Sequence, residues 1–483
     1  MFQQFVDRRD EVELLEDTYR QNKSSLIIIY GRRRIGKTEL VKQFIKNKKH
    51  IYFLADTRTD RDNIKEMQKA FSSYTQNSLF EMVEFTDWIE LFREIEKLLK
   101  ESVIIVIDEF PYLIESNKAI PSIFQKIWDL ILAEKDVCLV LLGSSISMME
   151  DYTLDYRAPL YGRRTAQLQL QPLKFEYIGG FLPYSKEELV KVYGITDGIP
   201  LYILKFDPGL DFEENVKENV FRVGKFLYQE AEILLKEELR ETARYFSILK
   251  AIAYGKHGFG EIVNFTKLDK SIISKYLGNL AIIRLIRKEY PVTQKKEVRN
   301  ARYVFNDNYF NFWFRYVYPY KSLIEEGKAE RLFDLIGEDF NSYLGFVFEK
   351  ICMEYIWEQE LPFLFTKLGR WWRKDKEIDL VALNEETKEI AFFEVKWSDL
   401  QVGEARRILS DLKGKSEFVD WNKGERVEHF GLIAKRLERK EKLRGEGYLC
   451  YDLEDISKRN HEISHKPLQG LRGHGAEPHI RKG

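Results

Sequence analysis

GRRRIGKT, residues 31–38, restricts the fold of this chain more than any other stretch. Gly31 is followed by four residues and then by Gly36, Lys37 and Thr38, which is the full spacing of a phosphate-binding loop. The apolar run SLIIIY precedes the loop, and ELVKQFI, with apolar residues at helical spacing, follows it. The stretch therefore predicts a buried strand, a tight turn and a helix in an α/β fold with a parallel sheet.

The loop also predicts a site for ATP and Mg²⁺. Its glycines let the backbone wrap so that N–H groups face a phosphate. Lys37 is expected to reach the β- and γ-phosphates, and the Thr38 hydroxyl is expected to bind Mg²⁺. The residues predicted to contact the nucleotide in and beside the loop are Gly31, Arg32, Arg33, Arg34, Ile35, Gly36, Lys37, Thr38 and Glu39.

A second apolar run, SVIIVIDEF, supplies the acidic partner that such a loop requires. It reads as a strand of a parallel sheet, and it ends in Asp108 and Glu109. An acidic pair at a strand end is often a helix cap, but after a phosphate loop it indicates the hydrolytic pair. We expect Asp108 to bind Mg²⁺ through water and Glu109 to polarise the attacking water.

Two further stretches contain candidate contacts to the γ-phosphate. The buried strand VCLVLLGSS ends in Ser144 and Ser145, where a hydroxyl can sense the γ-phosphate or cap the next helix. APLYGRR places Arg163 and Arg164 directly after a glycine. One of them fits an arginine finger, and a solvated salt bridge fits equally well.

Together, FVDRRDEVELL, GRRRIGKT, VIDEFPYL, LLGSS and PLYGRR resemble the archaeal ATPase family, a STAND-type branch of the AAA+ superfamily. The resemblance covers roughly the first half of the chain. In that family the N-terminal motif lies against the adenine, which implies that Phe5 and Arg8 lie near the base. The usual motif has Glu directly after the arginine, whereas this chain has Arg9.

Length and composition limit the remaining interpretations. A chain of 483 residues is too long for one core, so three or four domains are expected. The charged N-terminus and the lack of any long apolar segment predict a soluble, cytoplasmic protein without a membrane segment. Cys138, Cys352 and Cys450 have apolar neighbours and are expected to be core thiols. With a net charge of −1, nucleic-acid binding would require a local basic patch.

The middle of the chain predicts a helix-turn-helix with a wing. Three helical patterns between residues 243 and 287 have turns at Gly255 and Thr266, and strand-like segments follow them. The predicted wing contains four cations, at Lys295, Lys296, Arg299 and Arg302. Such a hairpin binds the phosphate backbone or, in many large ATPases, contacts another protein. The next stretch, FNDNYFNFWFRYVYP, has aromatic rings at helical spacing, which favours core packing over base stacking.

AFFEVKW, residues 391–397, raises the question of why an apolar strand ends in Glu394 and Lys396. The stretch that begins at Asp379 reads as a neighbouring antiparallel strand, because the polar turn NEETKE separates the two. The carboxylates of Asp379 and Glu394 would then converge on one Mg²⁺ or Mn²⁺, with Lys396 on the same face. Glu349, in a helical apolar stripe, is a candidate third ligand. The alternative is a Glu–Lys ion pair at a strand end.

The order Glu349, Asp379, Glu394-x-Lys396 resembles the PD-(D/E)XK nuclease superfamily. Ile378 stands where the motif's name has proline. The segment 337–455 is similar to the domain of unknown function that accompanies archaeal ATPases. The resemblance implies a restriction-endonuclease-like fold with metal-dependent cleavage, in which Asp379, Glu394 and Lys396 are catalytic. Some domains of this type only bind nucleic acid.

HEISH, residues 461–465, matches a zinc-protease pattern, but it lies in a polar tail that contains no apolar helix. We therefore do not assign it a catalytic role. The predicted domains are an ATPase core at 1–175, a helical lid at 176–240, a winged helix-turn-helix at 241–305, an aromatic connector helix at 306–336, a nuclease-like domain at 337–456 and a tail at 457–483.

These patterns predict an ATP-hydrolysing switch that acts on nucleic acid, DNA more than RNA, and that carries a metal-dependent nuclease domain. A homo-oligomer or a protein partner is compatible with the sequence. The alternative is a regulator that binds DNA or protein through an inactive nuclease-like domain.

Overall fold

The computed structural model describes residues 5–21, 23–99, 101–239, 241–294 and 300–457. The chain divides into two compact units. The first unit comprises Met1–Phe175 and Val190–Phe340, and the second comprises Glu176–Leu189 and Asn341–Gly483. The predicted lid, residues 176–240, is therefore shared between the two units.

The first unit is built on a five-stranded parallel sheet with the order β2-β3-β4-β1-β5. The strands are β1 (Ser25–Tyr30), β2 (His50–Leu54), β3 (Val103–Asp108), β4 (Val137–Gly143) and β5 (Ala166–Gln169). Every residue of β1, β3 and β4 is buried, because helices cover both faces of the sheet. This sheet confirms the α/β class that the sequence predicts.

Seven helices accompany this sheet. They are α1 (Arg9–Arg20), α2 (Lys37–Ile45), α3 (Asp60–Thr75), α4 (Trp88–Leu98), α5 (Phe110–Ser116), α6 (Ile120–Ile127) and α7 (Ile146–Met149). The apolar residues of α1 and α2 pack against one face of the sheet, and those of α3, α4 and α6 pack against the opposite face. Alternate strand residues therefore contribute to two separate cores.

A second group of helices follows the sheet. It contains α8 (Lys186–Thr196), α9 (Pro200–Ile203), α10 (Phe212–Asn219), α11 (Phe226–Glu238) and α12 (Thr242–Ala253). Two ion pairs within the second unit hold the first turn of α8, since Lys186 contacts Glu454 at 2.6 Å and Glu187 contacts Lys435 at 3.4 Å. The later residues of α8, such as Val190 and Tyr193, are buried apolar side chains that cluster with the first unit.

The chain then forms α13 (Phe259–Thr266), α14 (Lys270–Ile282), and the antiparallel pair β6 (Ile286–Glu289) and β7 (Arg302–Phe305). Lys295, Lys296 and Arg299 of the predicted wing lie outside the described residues, and Arg302 begins β7. Helix α15 (Asn308–Phe312) and α16 (Lys321–Glu325) follow. The rings of Tyr309, Trp313 and Tyr316 are fully buried, which agrees with a core role for the aromatic stretch.

The second unit contains a mixed sheet with the order β12-β11-β10-β9-β8. Its elements are α17 (Ala329–Trp357), β8 (Lys367–Arg373), β9 (Lys376–Asn384), β10 (Glu389–Leu400), α18 (Val402–Ser416), β11 (Val427–Leu437), α19 (Lys440–Gly445), β12 (Leu449–Asp452) and α20 (Leu453–Ser457); α17 begins before the unit's first residue here, Asn341. Strands β9 and β10 are antiparallel, as the hairpin interpretation predicts, while β10, β11 and β12 are parallel.

The three cysteines lie in the protein interior, as their apolar neighbours predict. The thiols of Cys138, Cys352 and Cys450 are buried and free. None of the helices in the described ranges combines the length and apolar character needed to cross a membrane. The HEISH stretch lies outside the described residues.

Candidate nucleotide site and a second polar cluster

The phosphate loop wraps tightly between β1 and α2. Arg34 and Gly36 have φ angles of 72° and 94°, in the left-handed region. Gly31 also has a positive φ, of 151°, and it approaches the chain closely, because a Cβ atom there would lie 2.6 Å from the carbonyl oxygen of Leu170. The loop therefore has the backbone shape that the glycine spacing predicts, with the first turn of α2 starting at Lys37.

The Lys37 ammonium lies inside this loop. Its Nζ donates to the carbonyl oxygens of Gly31 and Arg32, at 2.9 Å each. Burial lowers the pKa of Lys37 to about 8, against the opposing effects of Glu109 and Asp108. A phosphate group would give this buried cation a full negative partner.

The side chains of Thr38 and Asp108, both predicted Mg²⁺ ligands, lie within hydrogen-bonding distance of each other. Thr38 Oγ1 donates to Asp108 Oδ2 at 2.8 Å, and the backbone N–H of Glu109 donates to Asp108 Oδ1 at 2.9 Å. A hydroxyl and a carboxylate at this separation fit the oxygen ligands that Mg²⁺ takes, directly or through its waters. When bound, Mg²⁺ would neutralise charge on the β- and γ-phosphates.

Tyr52 is a member of this site that sequence reasoning missed. Its hydroxyl donates to Asp108 Oδ2 at 2.5 Å, and burial together with this bond raises the pKa of Tyr52 far above its usual range. Tyr52 reaches Asp108 because β2 pairs with β3 in a register that aligns Leu54 with Asp108. Nothing in the stretch HIYFL marks the tyrosine as functional, so only the strand register identifies it.

Ser144 contacts the predicted catalytic carboxylate. Its hydroxyl donates to Glu109 Oε2 at 2.6 Å, and its backbone N–H donates to the same oxygen at 3.3 Å. Glu109 itself has a φ of 55°, so its backbone turns sharply directly after β3. Ser145 is the N-cap residue of α7, but its side chain makes no capping hydrogen bond.

Arg8 lies beside the phosphate loop. Its guanidinium donates to the carbonyl oxygens of Gln171, at 2.5 Å, and Ile35, at 3.4 Å, and it pairs with Glu11 at 2.8 Å. These bonds connect the N-terminal motif to the end of β5 and to the loop. Phe5 packs against the core cluster that includes α1 and α2.

The other arginines predicted to contact the nucleotide are Arg163 and the three arginines of the phosphate loop, and all of them pair with carboxylates. Arg163 forms a two-pronged pair with Asp129, with distances of 2.7 and 2.8 Å, which matches the salt-bridge alternative. Arg32, Arg33 and Arg34 also pair with carboxylates from outside the loop. Glu39 is exposed and pairs with Lys42 on the next turn of α2.

The predicted cluster in the second unit comes together on β9 and β10. The sequence expectation that the strand ends at Glu394 and Lys396 is wrong, because β10 continues to Leu400 and both residues lie in its middle. Lys396 Nζ contacts Glu394 Oε2 at 2.8 Å and Asp379 Oδ2 at 3.4 Å. The backbone N–H of Val395 also donates to Asp379 Oδ2, at 2.8 Å. Glu394 is only 3% exposed, which means that its charge requires partners inside the protein.

Lys415 is the partner that the sequence did not indicate. It projects from the last turn of α18, and its Nζ lies 2.5 Å from Glu394 Oε1. Glu394 therefore has one ammonium on each carboxylate oxygen. Glu349 pairs with Arg370, and burial raises the pKa of Glu349 to about 8. Across the described ranges, no three or more His, Cys, Asp or Glu side chains are grouped as a metal site.

Known proteins resemble both units of the chain. Residues 5–206 match a family described as an ATPase domain predominantly from Archaea, and residues 313–408 match archaeal and bacterial proteins of unknown function. An uncharacterized protein of Methanocaldococcus jannaschii is 41% identical over 460 residues, which are 94% of this chain and 100% of that protein. The chain belongs to this archaeal ATPase family.

Two further similarities concern the ATPase function. An uncharacterized ATP-binding protein of M. jannaschii is 58% identical over 45 residues, 9% of this chain and 76% of that protein. The Walker-type ATPase PABY2304 of Pyrococcus abyssi has a TM-score of 0.52 and 26% identity, over 64% of this chain and 96% of that one. The archaeal ATPase described here therefore hydrolyses ATP, and Mg²⁺ is the ion that generally accompanies ATP in such enzymes.

Lys37→Ala should abolish ATP binding, because it removes the ammonium that the phosphate loop holds in its interior. Glu109→Gln should keep binding and lower the hydrolysis rate by about 10²- to 10⁴-fold, because it removes the group that activates water. Calorimetric titration with ATP and a phosphate-release assay measure the two effects. Lys97→Ala, on the exposed face of α4, is the control. Equal ATP affinity in Lys37→Ala and the unchanged protein would contradict the assignment.

Tyr52→Phe should lower the free energy of unfolding of the nucleotide-free protein by about 1.5–3 kcal/mol, the range for a hydrogen bond to a charged group. The reason is that buried Asp108 loses one of its donors. Urea denaturation measures the change, with Tyr156→Phe at an exposed ring as the control. A Tyr52→Phe protein as stable as the control variant would show that Tyr52 does not support Asp108.

Proposed function

We propose that this archaeal ATPase is a STAND-type AAA+ switch that acts on nucleic acid, DNA more than RNA, through a winged helix. We further propose that its second unit is a PD-(D/E)XK domain that cleaves nucleic acid with Mg²⁺ or Mn²⁺. The observation that carries the nuclease part is the meeting of Asp379, Glu394 and Lys396 on one face of the β9–β10 hairpin. The free cysteines favour a reducing compartment, the cytoplasm.

In the ATPase unit, we assign the steps of the switch to named side chains. Lys37 binds the β- and γ-phosphates, Thr38 and Asp108 hold Mg²⁺, and Glu109 polarises water. Ser144 donates a hydrogen bond to Glu109, so a γ-phosphate that accepted this bond instead would release the carboxylate for catalysis. Arg163 is paired with Asp129, so it would contact a γ-phosphate only after this pair breaks. In a homo-oligomer, that γ-phosphate would belong to the nucleotide of a neighbouring copy.

The winged-helix proposal rests on the order of α13, α14, β6 and β7. The exposed residues of α14 include Ser271, Ser274, Lys275 and Gly278. Small side chains let a helix approach the edges of bases closely, and the lysine adds a contact to phosphate. Exposed Lys288 on β6 adds a positive charge on the strand that leads to the predicted wing, whereas its neighbour Arg287 is paired with Glu289.

The chemistry of the second unit fits a hard cation through its carboxylate oxygens. Asp379 and Glu394 would be the ligands, with Glu349 as a third once it leaves Arg370, and Lys396 would stabilise charge at the phosphodiester. Mg²⁺ would have to compete with the ammonium groups of Lys396 and Lys415, because these already neutralise Glu394.

The same competition supports a second candidate function. Glu394 and Glu349 are each paired with cations, and in the described ranges no cluster of three or more ligands is preformed. A domain of this kind would bind DNA or a protein without cleaving it.

A cleavage assay distinguishes the two functions. It uses single- and double-stranded DNA and RNA, with and without ATP, and with Mg²⁺ or Mn²⁺. Cleavage that is lost in Lys396→Ala supports the nuclease, and intact substrates under every condition support the regulator.

Asp379→Asn and Glu394→Gln should each remove most of the Mn²⁺ affinity of the nucleotide-free protein, because one carboxylate holds a hydrated divalent ion poorly. Lys396→Ala should bind Mn²⁺ at least as well and lose cleavage, because it removes a competing cation and a catalytic group. Calorimetric titration of the full chain measures the affinities, with Glu385→Gln in the β9–β10 turn as the control. Unchanged affinity in Asp379→Asn and Glu394→Gln would leave Glu394 as a structural ion-pair residue.

Replacing Lys295, Lys296 and Arg299 together by Gln should weaken duplex DNA binding equally across sequences. The slope of log K against log salt should also flatten by roughly 0.9 for each phosphate that the variant no longer binds. Fluorescence anisotropy at several salt concentrations measures both quantities. Gln at Lys65, Lys69 and Lys97 is a control with the same change in net charge on α3 and α4. A salt slope that is the same in both triple variants would assign the hairpin to a protein contact.

A further inference from the structure

The three consecutive arginines of the phosphate loop each pair with a carboxylate from a distant part of the first unit. Arg32 pairs with Asp307, the N-cap residue of α15. The other two pairs, Arg33 with Glu237 and Arg34 with Glu230, reach α11. The partners lie about 200 to 275 residues further along the chain, so the pairs connect the loop to helices outside the parallel sheet.

In two of these pairs the carboxylate is deeply buried. The side chains of Asp307 and Glu230 are each 1% exposed, and a buried carboxylate without a cationic partner is strongly destabilising. Aromatic rings complete the contacts, since the Arg32 guanidinium lies 5.3 Å from the ring centre of Phe310 and that of Arg34 lies 4.7 Å from Phe226. The guanidinium groups are therefore held by specific partners.

One of the pairs continues directly to the phosphate-binding lysine. The carbonyl oxygen of Arg32 accepts a hydrogen bond from Lys37 Nζ at 2.9 Å, while the side chain of Arg32 binds Asp307. Movement of the α15 N-terminus would therefore displace an acceptor of Lys37. Arg34, the residue with the left-handed φ of 72°, is fixed in the same way by Glu230 of α11.

We propose that Asp307, Glu230 and Glu237 are positioning residues for nucleotide binding, which act through Arg32, Arg34 and Arg33. They hold the phosphate loop in its wrapped shape, so the affinity for nucleotide depends on where α11 and α15 lie. Coupling of this kind is reciprocal, and nucleotide therefore biases the position of the two helices. The inference requires ATP binding at the loop, and it does not depend on the proposed nucleic-acid or nuclease functions.

Asp307→Asn tests the buried pair without removing the helix cap. Asp307 Oδ1 accepts the N–H of Phe310 at 2.8 Å, and the side-chain oxygen of Asn can accept the same bond. We expect the Kd for ATP and ADP to rise about fivefold or more, the usual range of site coupling, with KM following Kd and with kcat little changed. Asp211→Asn, at the exposed N-cap of α10, makes the same substitution without an arginine of the loop, and it should not change Kd.

A double-mutant cycle separates positioning from direct contact. If Asp307 acts through Arg32, Arg32→Gln combined with Asp307→Asn should bind ATP no more weakly than Arg32→Gln alone. Additive increases in Kd, or an Asp307→Asn protein with unchanged Kd, would overturn the proposal.

The exposed pair between Arg33 and Glu237 provides a test that does not depend on a buried substitution. Arg33→Glu should raise the Kd for ATP, and adding Glu237→Arg should restore it, because the reversed pair recreates the contact to α11. A kcat that stays near its original value in both proteins excludes damage to the chemistry. If the second substitution does not restore Kd, Arg33 contacts the phosphates itself and the positioning role is wrong.

Discussion

The buried ammonium group of Lys37 constrains the shape of the phosphate loop in the first unit. Lys37 lies in a loop whose carbonyl oxygens are its hydrogen-bond acceptors, and a buried cation without such partners would be too costly to keep. Those carbonyls turn inward only because Gly36 and Arg34 adopt left-handed backbone angles and Gly31 approaches Leu170 closely. With the interior taken by the ammonium, the neighbouring arginine side chains extend outward to Asp307, Glu237 and Glu230.

Glu394 is a buried charge in the second unit, and like Lys37 it requires partners inside the protein. Its partners are charged groups. Its buried carboxylate has a lysine on each oxygen, one from its own strand and one from α18. With Asp379, the cluster contains two carboxylates and two ammonium groups, whose charges balance, whereas Asp108 relies on neutral hydroxyl and backbone donors. A divalent cation adds a missing charge at Asp108 but must displace existing charges at Glu394. A divalent cation therefore meets less competition at Asp108 than at Glu394.

The sequence predicted those parts of the fold that depend on residues close together in the chain. The phosphate loop and the apolar runs of β1, β3 and β4 predicted the parallel sheet, and the NEETKE turn predicted the β9–β10 hairpin. Contacts set by register or by distant pairing were not predictable. Tyr52 depends on how β2 aligns with β3, and Lys415 on where α18 ends. The division of residues 176–240 between the units was also missed, because the polar first turn and the apolar remainder of α8 belong to different clusters.

The buried thiols also report on how the folded protein opens. Cys138 lies within β4, whereas Cys352 on α17 and Cys450 on β12 belong to the second unit. Burial raises the pKa of Cys138 to about 11 and that of Cys450 to about 12, so neither thiol ionises or meets an alkylating reagent while its sheet is intact. Their labelling rates therefore record the opening of each unit separately, without any introduced probe.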